Sequence, residues 1–236
     1  RALWQRFETH HPVQVLLQSK GYDTLARLGD NDEVMPLDYK IPEYGLSLQF
    51  YPHQFTQVNA LMNRELVRTA LGYLGDIANQ VVADICGIGN FTLPLARAGA
   101  QVVGIEGSQE AVVMGQHNAQ RNGLADHCHF ADEDLYSDTA TAEVDASMLA
   151  TLRHFGQFPR ALILDPPRSG AGPNLESWVS ATELEQIVYV SCNPVTFADD
   201  AKRLSDCGFV LREVGIYDMF PNTAHVETIG HFMRGE

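Results

Sequence analysis

Short apolar runs alternate with helix-like segments from residue 81 to residue 232, and this alternation restricts the fold more than any other feature of the sequence. Apolar runs such as 187–190 are typical of buried strands, whereas 109–122 shows helical spacing. The alternation predicts a parallel sheet with helices on both faces. The predicted strands are residues 81–85, 101–105, 129–131, 161–164, 187–190, 209–217 and 226–232, and the predicted helices include 90–98, 109–122 and 195–206.

The two ends of the chain depart from this pattern. Residues 220–223 connect the last two predicted strands without a helix, and so short a connection joins only antiparallel neighbours. We therefore predict an α/β, Rossmann-like fold with a mostly parallel seven-stranded sheet that contains one antiparallel strand. Residues 1–44 are expected to form a small β extension and residues 45–236 the main domain. The first 74 residues contain a predicted strand at 13–17, a turn at 29–32, a hairpin of 37–41 with 46–50, and a helix at 56–74.

Composition and charge make several classes of protein less favoured. The formal net charge of −14 disfavours phosphate binding, so we expect weak RNA affinity from the chain alone. No apolar run reaches the roughly 18 residues of a membrane span, and no CxxC pair indicates zinc. We expect a metal-free, monomeric, cytoplasmic protein, and because the chain begins with Arg1 rather than Met, we expect a fragment that lacks upstream domains. The dispersed cysteines, which suit a reducing compartment, are Cys86, Cys128, Cys192 and Cys207.

Cys192 lies between a predicted strand and a predicted helix. It follows the run 187–190, and Pro194 suits the first turn of the next helix. In open α/β sheets ligands bind at this edge, and the positive end of a helix dipole favours a thiolate. We therefore predict Cys192 to be a nucleophile, with an inert buried cysteine as the alternative.

A glycine-containing turn follows the first strand of the predicted sheet. Gly87 and Gly89 allow a ligand to approach the backbone, and Glu106, which ends the next strand, is placed to accept both hydroxyls of a ribose. Thr92 replaces the third glycine of a dinucleotide motif, which favours S-adenosylmethionine over NAD. Asp84 would then face the amino or sulfonium end of the cofactor. A plain tight turn is the remaining alternative.

Three further carboxylates lie at the same predicted edge. Asp165 opens Asp165-Pro166-Pro167, which resembles the Asn/Asp-Pro-Pro element of amino-group methyltransferases, although Arg168 stands where those enzymes have an aromatic residue. Glu227 lies in an apolar strand, where a carboxylate is costly unless it is paired or functional, and both roles stay open. Asp134 either reaches the adenine edge of a cofactor or belongs to a solvated acidic turn.

From about Gly45 onward the chain resembles the RNA uracil-C5 methyltransferases. Asp218-Met219-Phe220-Pro221 most resembles the branch that makes 5-methyluridine at position 1939 of 23S ribosomal RNA. The blocks that carry the resemblance occur in order and are Phe55-Thr56-Gln57-Val58-Asn59, Cys86-Gly87-Ile88-Gly89-Asn90-Phe91, Glu106-Gly107, Asp165-Pro166-Pro167-Arg168, Ser191-Cys192-Asn193-Pro194, and Met219-Phe220-Pro221 with His225-Val226-Glu227.

This resemblance implies the fold and chemistry of an S-adenosylmethionine-dependent RNA methyltransferase. Cys192 would attack C6 of uracil, and Glu227 would remove the proton from C5. The target uridine has to leave its stack, and Phe55 and Phe220 either stack on it or, as we expect, pack in the core. Members of the branch also carry a β-barrel RNA-binding domain and an iron–sulfur cluster, which we expect only in an upstream part. The cofactor site would contain Gln57, Ile85, Asn90, Glu106, Asp134 and Asp165, of which Ile85 departs from the aromatic residue often found in related sequences.

Several functions compete at this point. Uracil-C5 methylation of 23S ribosomal RNA is the leading hypothesis, and another RNA such as tRNA is its nearest alternative. Amino-group methylation through Asp165-Pro166-Pro167 would not need the thiol of Cys192. A non-catalytic module that binds cofactor or RNA and an NAD-dependent dehydrogenase complete the alternatives.

Overall fold

A seven-stranded sheet organises the larger part of the chain. The computed structural model describes residues 2–21, 24–28, 34–85, 87–133, 146–172 and 174–235. Within them the helices are α1 (Ala2–His10), α2 (Ala60–Leu74), α3 (Thr92–Arg97), α4 (Gln109–Arg121), α5 (Ala146–Leu152), α6 (Asn174–Ser180) and α7 (Pro194–Asp206). The strands are β1 (Leu16–Gln18), β2 (Leu25–Arg27), β3 (Leu37–Ile41), β4 (Leu46–Phe50), β5 (Val81–Ile85), β6 (Gln101–Glu106), β7 (Cys128–Asp132), β8 (Ala161–Leu164), β9 (Gln186–Ser191), β10 (Phe209–Tyr217) and β11 (Glu227–Arg234).

The large sheet has the strand order β10-β11-β9-β8-β5-β6-β7. Neighbouring strands from β9 to β7 are parallel, whereas β11 runs antiparallel to both β9 and β10. This confirms the predicted sheet with its one antiparallel strand. The chain passes from β5 outward to β7 and then returns to the other side of β5 with β8, so the strand order reverses there. Ligands bind at the carboxyl ends of strands beside such a reversal.

Helices cover both faces of this sheet. On the first face, which carries Asp84 and His231, the Tyr73 ring of α2 stacks on His231 at 5.1 Å. The second face carries an apolar cluster in which strand residues such as Tyr189 pack with Phe197 of α7 and with α5 and α6. Because both faces are covered, all residues of β5 and β8 are buried, which explains their continuous apolar runs.

The chain divides into two compact units. One comprises Arg1–Tyr39 and Gln49–Thr56, and the other comprises Lys40–Leu48 and Gln57–Glu236. The first unit contains α1 and the antiparallel pair β1–β2, in which Leu17 lies opposite Ala26. β3 and β4 form the predicted hairpin. None of the helices in the described ranges combines the length and apolar character that a membrane span requires.

The N-terminal region differs most from its prediction. The predicted strand at 13–17 is observed only at Leu16–Gln18, α1 was not predicted, and the predicted turn at 29–32 lies outside the described residues. The helix predicted from residue 56 begins at Ala60, because Asn59 Oδ1 accepts a hydrogen bond from Met62 N at 3.2 Å and caps the helix there.

Candidate active site

Cys192 lies directly after β9 and two residues before α7. The side chain of Asn193 caps α7 by accepting from Val195 N at 3.1 Å. Ser191 Oγ accepts from Asn193 N and donates to Asn193 O, both at 3.1 Å. These bonds fix the backbone on either side of Cys192, whose side chain is partly buried. The thiol is therefore held at the carboxyl edge of the sheet.

Glu227 begins β11 and lies across from Cys192. The antiparallel register pairs Ser191 with Thr228, and its continuation by one residue sets Cys192 opposite Glu227, where the two side chains share a face. Glu227 is 3% exposed, and its Oε2 finds no hydrogen-bond partner among the described residues. Burial raises the pKa of Glu227 from 4.5 to about 7. A carboxyl group that titrates near neutrality is suited to accept a proton.

Asp84 and Asp165 lie on the same face as Glu227. β5 pairs Asp84 with Ile163, and alternation along β8 then brings Asp165 to that face. Burial, followed by the charges of Glu227 and Asp84, raises the pKa of Asp165 from 3.8 to about 8. Burial also raises the pKa of Asp84 to about 7, even though its Oδ2 accepts a hydrogen bond from Thr92 Oγ1 at 2.6 Å. Three carboxyl groups thus form a site that favours a cation.

These groups also act on the thiol. Burial, Glu227 and Asp165 raise the pKa of Cys192, and the opposing effects of its backbone hydrogen bond and of Arg168 are smaller. Burial and these two carboxyl groups therefore disfavour the thiolate, which opposes the expected effect of the helix N-terminus. Cys192 has to pass on its proton before it can act as a nucleophile.

The turn after β5 depends on two glycines. Gly87 and Gly89 have φ of +54° and +101°, and a Cβ at Gly89 would lie 3.3 Å from Leu93 Cγ. Glu106 ends β6, and its Oε2 accepts from Gly87 N at 2.8 Å while its Oε1 accepts from Ser108 N at 2.9 Å. Each carboxylate oxygen keeps a further lone pair that can accept a ribose hydroxyl.

Asn90 is held in place by an amide pair. Asn63 Nδ2 donates to Asn90 Oδ1 at 2.9 Å, and Asn90 Nδ2 donates to Asn63 Oδ1 at 3.0 Å. Gln57 is partly buried three residues before α2. Asn63, which is 3% exposed within α2, was not predicted as part of the site. The detectable signal was a polar residue three positions before Leu66, on the stripe that the helix buries.

Two of the residues predicted to contact the cofactor are not observed on the face of the sheet that carries Asp84. Ile85 is buried in the apolar cluster on the second face, where it lines a cavity of about 30 Å³ together with Met148. Its side chain therefore points away from the face that carries Asp84. Asp134 lies outside the described residues.

The two aromatic residues considered for base stacking differ in exposure. Phe55 is 76% exposed, so the prediction that it packs in the core is wrong. Phe220 is partly buried, with its ring edge-on to His225 at 6.0 Å.

The histidines near β7 take part in a local turn and a ring contact. His127 belongs to a short 3-10 turn at Ala125–His127, and the ring of His129 stacks on His154 at 3.7 Å. Across the described ranges, no group of three or more His, Cys, Asp or Glu side chains is arranged to hold a metal ion.

Solved structures share this fold. The Pyrococcus abyssi tRNA (uracil-54, C5)-methyltransferase in complex with S-adenosyl-L-homocysteine matches with a TM-score of 0.68 and 27% identity, over 84% of this chain and 44% of that chain. M. jannaschii TYW2 in complex with AdoMet matches with a TM-score of 0.59 and 18% identity over 94% of both chains, a likeness of fold alone. The fold is the predicted one, that of the Rossmann-like S-adenosylmethionine-dependent methyltransferases.

Sequence relatives define the family. The 23S rRNA (uracil(1939)-C(5))-methyltransferase RlmD of Hahella chejuensis is 42% identical over 229 residues, which are 97% of this chain and 50% of that protein. The RlmD of Nitrosospira multiformis is 44% identical over 98% of this chain and 51% of its own length, so the chain spans about half the length of these relatives. A family model described as tRNA (Uracil-5-)-methyltransferase matches residues 21–234. The chain belongs to this family, as the six sequence blocks predicted.

Proposed function

We propose that this chain is the catalytic portion of an enzyme that transfers a methyl group from S-adenosylmethionine to C5 of a uridine in 23S ribosomal RNA. The observation that carries the proposal is the register that pairs Ser191 with Thr228, which brings their neighbours Cys192 and Glu227 together at the ligand-binding edge of the sheet, where the charge of Glu227 acts on the thiol. The 42–44% identity to RlmD proteins supports the choice of RNA. In this proposal residues 45–236 form the catalytic domain of a monomeric, cytoplasmic enzyme, and residues 1–44 belong to the extension that precedes it.

The residues at the sheet edge fit S-adenosylmethionine. Gly87 and Gly89 leave room at the backbone, and Glu106 offers two carboxylate oxygens to a ribose. Oδ1 of the fully buried Asp84 finds no partner among the described residues, as expected for a group that meets a cationic ligand. Bound there, the cofactor would supply a methyl group on a positively charged sulfur. The residues proposed to line it are Gln57, Asn90, Glu106, Asp134 and Asp165, whereas the side chain of Ile85 lies on the opposite face of the sheet.

The side chains of this chain would act in sequence on the uracil. The deprotonated Cys192 forms a bond to C6, and the electrons of the C5–C6 double bond move to C5, which makes C5 nucleophilic enough to take up a methyl group. Glu227 then removes the proton from C5. The electron pair of that C–H bond restores the double bond and expels the thiolate of Cys192. A base with a pKa of about 7 is about half ionised at neutral pH, which suits this step.

Mass spectrometry of the methylated nucleoside tests the proposal. The chain, unmodified 23S ribosomal RNA and S-adenosylmethionine should yield 5-methyluridine, which Cys192→Ala should abolish and Cys207→Ala should leave unchanged. Cys207 is the matched control because it is also a partly buried free cysteine. An N-methylated base formed equally by Cys192→Ala would instead select amino-group methylation. Cofactor binding without any product would select a non-catalytic module.

A tRNA is the second candidate substrate. The family model and the Pyrococcus abyssi structure both carry tRNA in their descriptions. Competition between unmodified 23S ribosomal RNA and tRNA transcripts for limiting enzyme separates the two substrates. We expect label from methyl-labelled cofactor to appear in the ribosomal RNA, and preferential labelling of tRNA would reverse the assignment.

A further inference from the structure

A buried carboxylate outside the reacting groups joins one loop of the site to a strand and a helix. Asp200 of α7 is 2% exposed, and its Oδ2 accepts a hydrogen bond from Tyr189 Oη at 2.6 Å and from Ala171 N at 2.7 Å. Ala171 N also lies 3.2 Å from Tyr189 Oη. The sheet, α7 and the loop of residues 165–172 after β8 therefore meet at one carboxylate.

The backbone of this loop is shaped to meet Asp200. Gly170 has a φ of +85°, and a Cβ there would lie only 2.7 Å from Asp200 Oδ2. Gly170 N donates to Pro167 O at 2.8 Å, which closes a tight turn. Only glycine combines this backbone conformation with so close an approach. The loop thus fits the carboxylate through its backbone as well as through a hydrogen bond.

The same loop borders the reactive thiol. The carbonyl oxygen of Arg168 accepts from Asn193 Nδ2 at 3.1 Å and from Thr196 Oγ1 at 3.3 Å, next to Cys192. Asp165, at the start of the loop, is among the groups that raise the pKa of Cys192, and Arg168 is among those that lower it. Any movement of this loop relative to α7 therefore changes the surroundings of the thiol.

We propose that Asp200 is a positioning residue, which locks the 165–172 loop onto α7 and so holds Asp165 and Arg168 beside Cys192. The inference rests on the proposed function, because it assigns Asp200 a role in the reaction of Cys192. A buried carboxylate is costly unless its lone pairs are used, and here it binds a hydroxyl and a backbone N–H from two different segments. Its loss would loosen the loop at Ala171, although Arg168 O would still bond Asn193 and Thr196, and would remove no group that touches the substrate.

Two conservative variants test this role. Asp200→Asn removes the charge, and Tyr189→Phe removes the 2.6 Å hydrogen bond but keeps the bond to Ala171. Asp206→Asn is the matched control, since Asp206 lies at the end of the same helix and forms an exposed ion pair with Lys202. Four quantities are measured below the unfolding temperature: kcat for methyl transfer, KM for RNA, the alkylation rate of Cys192 by iodoacetamide relative to Cys207, and amide hydrogen exchange across residues 165–172.

We expect Asp200→Asn to lower kcat by about tenfold or more with KM for RNA within about twofold, because misplaced groups cost rate rather than binding. Cys192 should be alkylated roughly threefold faster as the loop opens, and exchange should rise in residues 165–172 but not across β5. Tyr189→Phe should show smaller changes in the same direction.

Faster exchange with unchanged kcat and an unchanged alkylation rate would overturn the proposal and leave Asp200 a purely structural role. Unchanged hydrogen exchange in residues 165–172 of Asp200→Asn would show that Asp200 does not hold this loop in place. Absence of product with the unsubstituted chain would reveal failure of the proposed function, while alkylation and exchange would still decide on Asp200.

Discussion

Glu227 should make the folded chain less stable as the pH rises, and Glu227→Gln should remove this effect. Burial raises the pKa of Glu227 from 4.5 to about 7 in the folded state. Between these values the folded state binds more protons than the unfolded state, so stability falls with increasing pH. Between pH 5 and pH 8 this linkage lowers the free energy of unfolding by about 2.5 kcal/mol. Glutamine does not titrate, so Glu227→Gln should lack this loss.

The comparison of two pH values cancels the fixed cost of burying an amide in place of the carboxyl group. The charge of Glu227 also helps to raise the pKa of Asp165. Loss of that charge in Glu227→Gln therefore increases the difference in pH dependence between the two proteins. Urea unfolding of both proteins at pH 5 and pH 8 measures the effect, and the exposed Glu183→Gln serves as the control. Equal pH dependence in the original chain and in Glu227→Gln would refute the inference that Glu227 is buried and protonated in the folded chain.

Three further predictions concern the cofactor turn, the packing of the sheet and RNA binding. Asn63→Ala removes the amide pair that holds Asn90, and we expect about tenfold weaker binding of S-adenosylmethionine by calorimetry; unchanged affinity would contradict this. Gly115→Ala places a Cβ about 2.5 Å from the Phe130 ring and should destabilise the chain by about 1–3 kcal/mol in urea, whereas equal or greater stability would show that α4 can shift. The isolated chain, with its net charge of −14, should bind RNA with a Kd above about 1 μM at physiological salt, and a nanomolar Kd would contradict this.

The sheet was predictable because its signal is strong and local. Strand runs such as Val81–Ile85 are apolar throughout, since helices cover both faces, and the short 220–223 connection required an antiparallel last pair. The edge positions of Cys192, Glu106 and Asp165 followed from the strand ends. Their location at the carboxyl edge could therefore be inferred before any contact was known.

Other features depend on contacts that no single stretch of sequence contains. The pKa of Cys192 is raised by burial and then by Glu227 and Asp165, two carboxyl groups that come from β11 and from the end of β8, on either side of β9. The amide pair of Asn63 and Asn90 joins residues 27 positions apart. Exposure of Phe55 was equally hidden, because an aromatic residue usually predicts burial.

Covalent trapping tests the central claim, the attack of Cys192 on C6 of uridine, most directly. In RNA with 5-fluorouridine at the target position, C5 carries a fluorine that Glu227 cannot remove as a proton, so the bond between sulfur and C6 persists after methyl transfer. With S-adenosylmethionine present, we predict a one-to-one protein–RNA adduct that survives denaturation, maps to the peptide containing Cys192 and disappears in Cys192→Ala but not in Cys207→Ala. An adduct that persists in Cys192→Ala, or 5-methyluridine formed by that variant, would contradict the account.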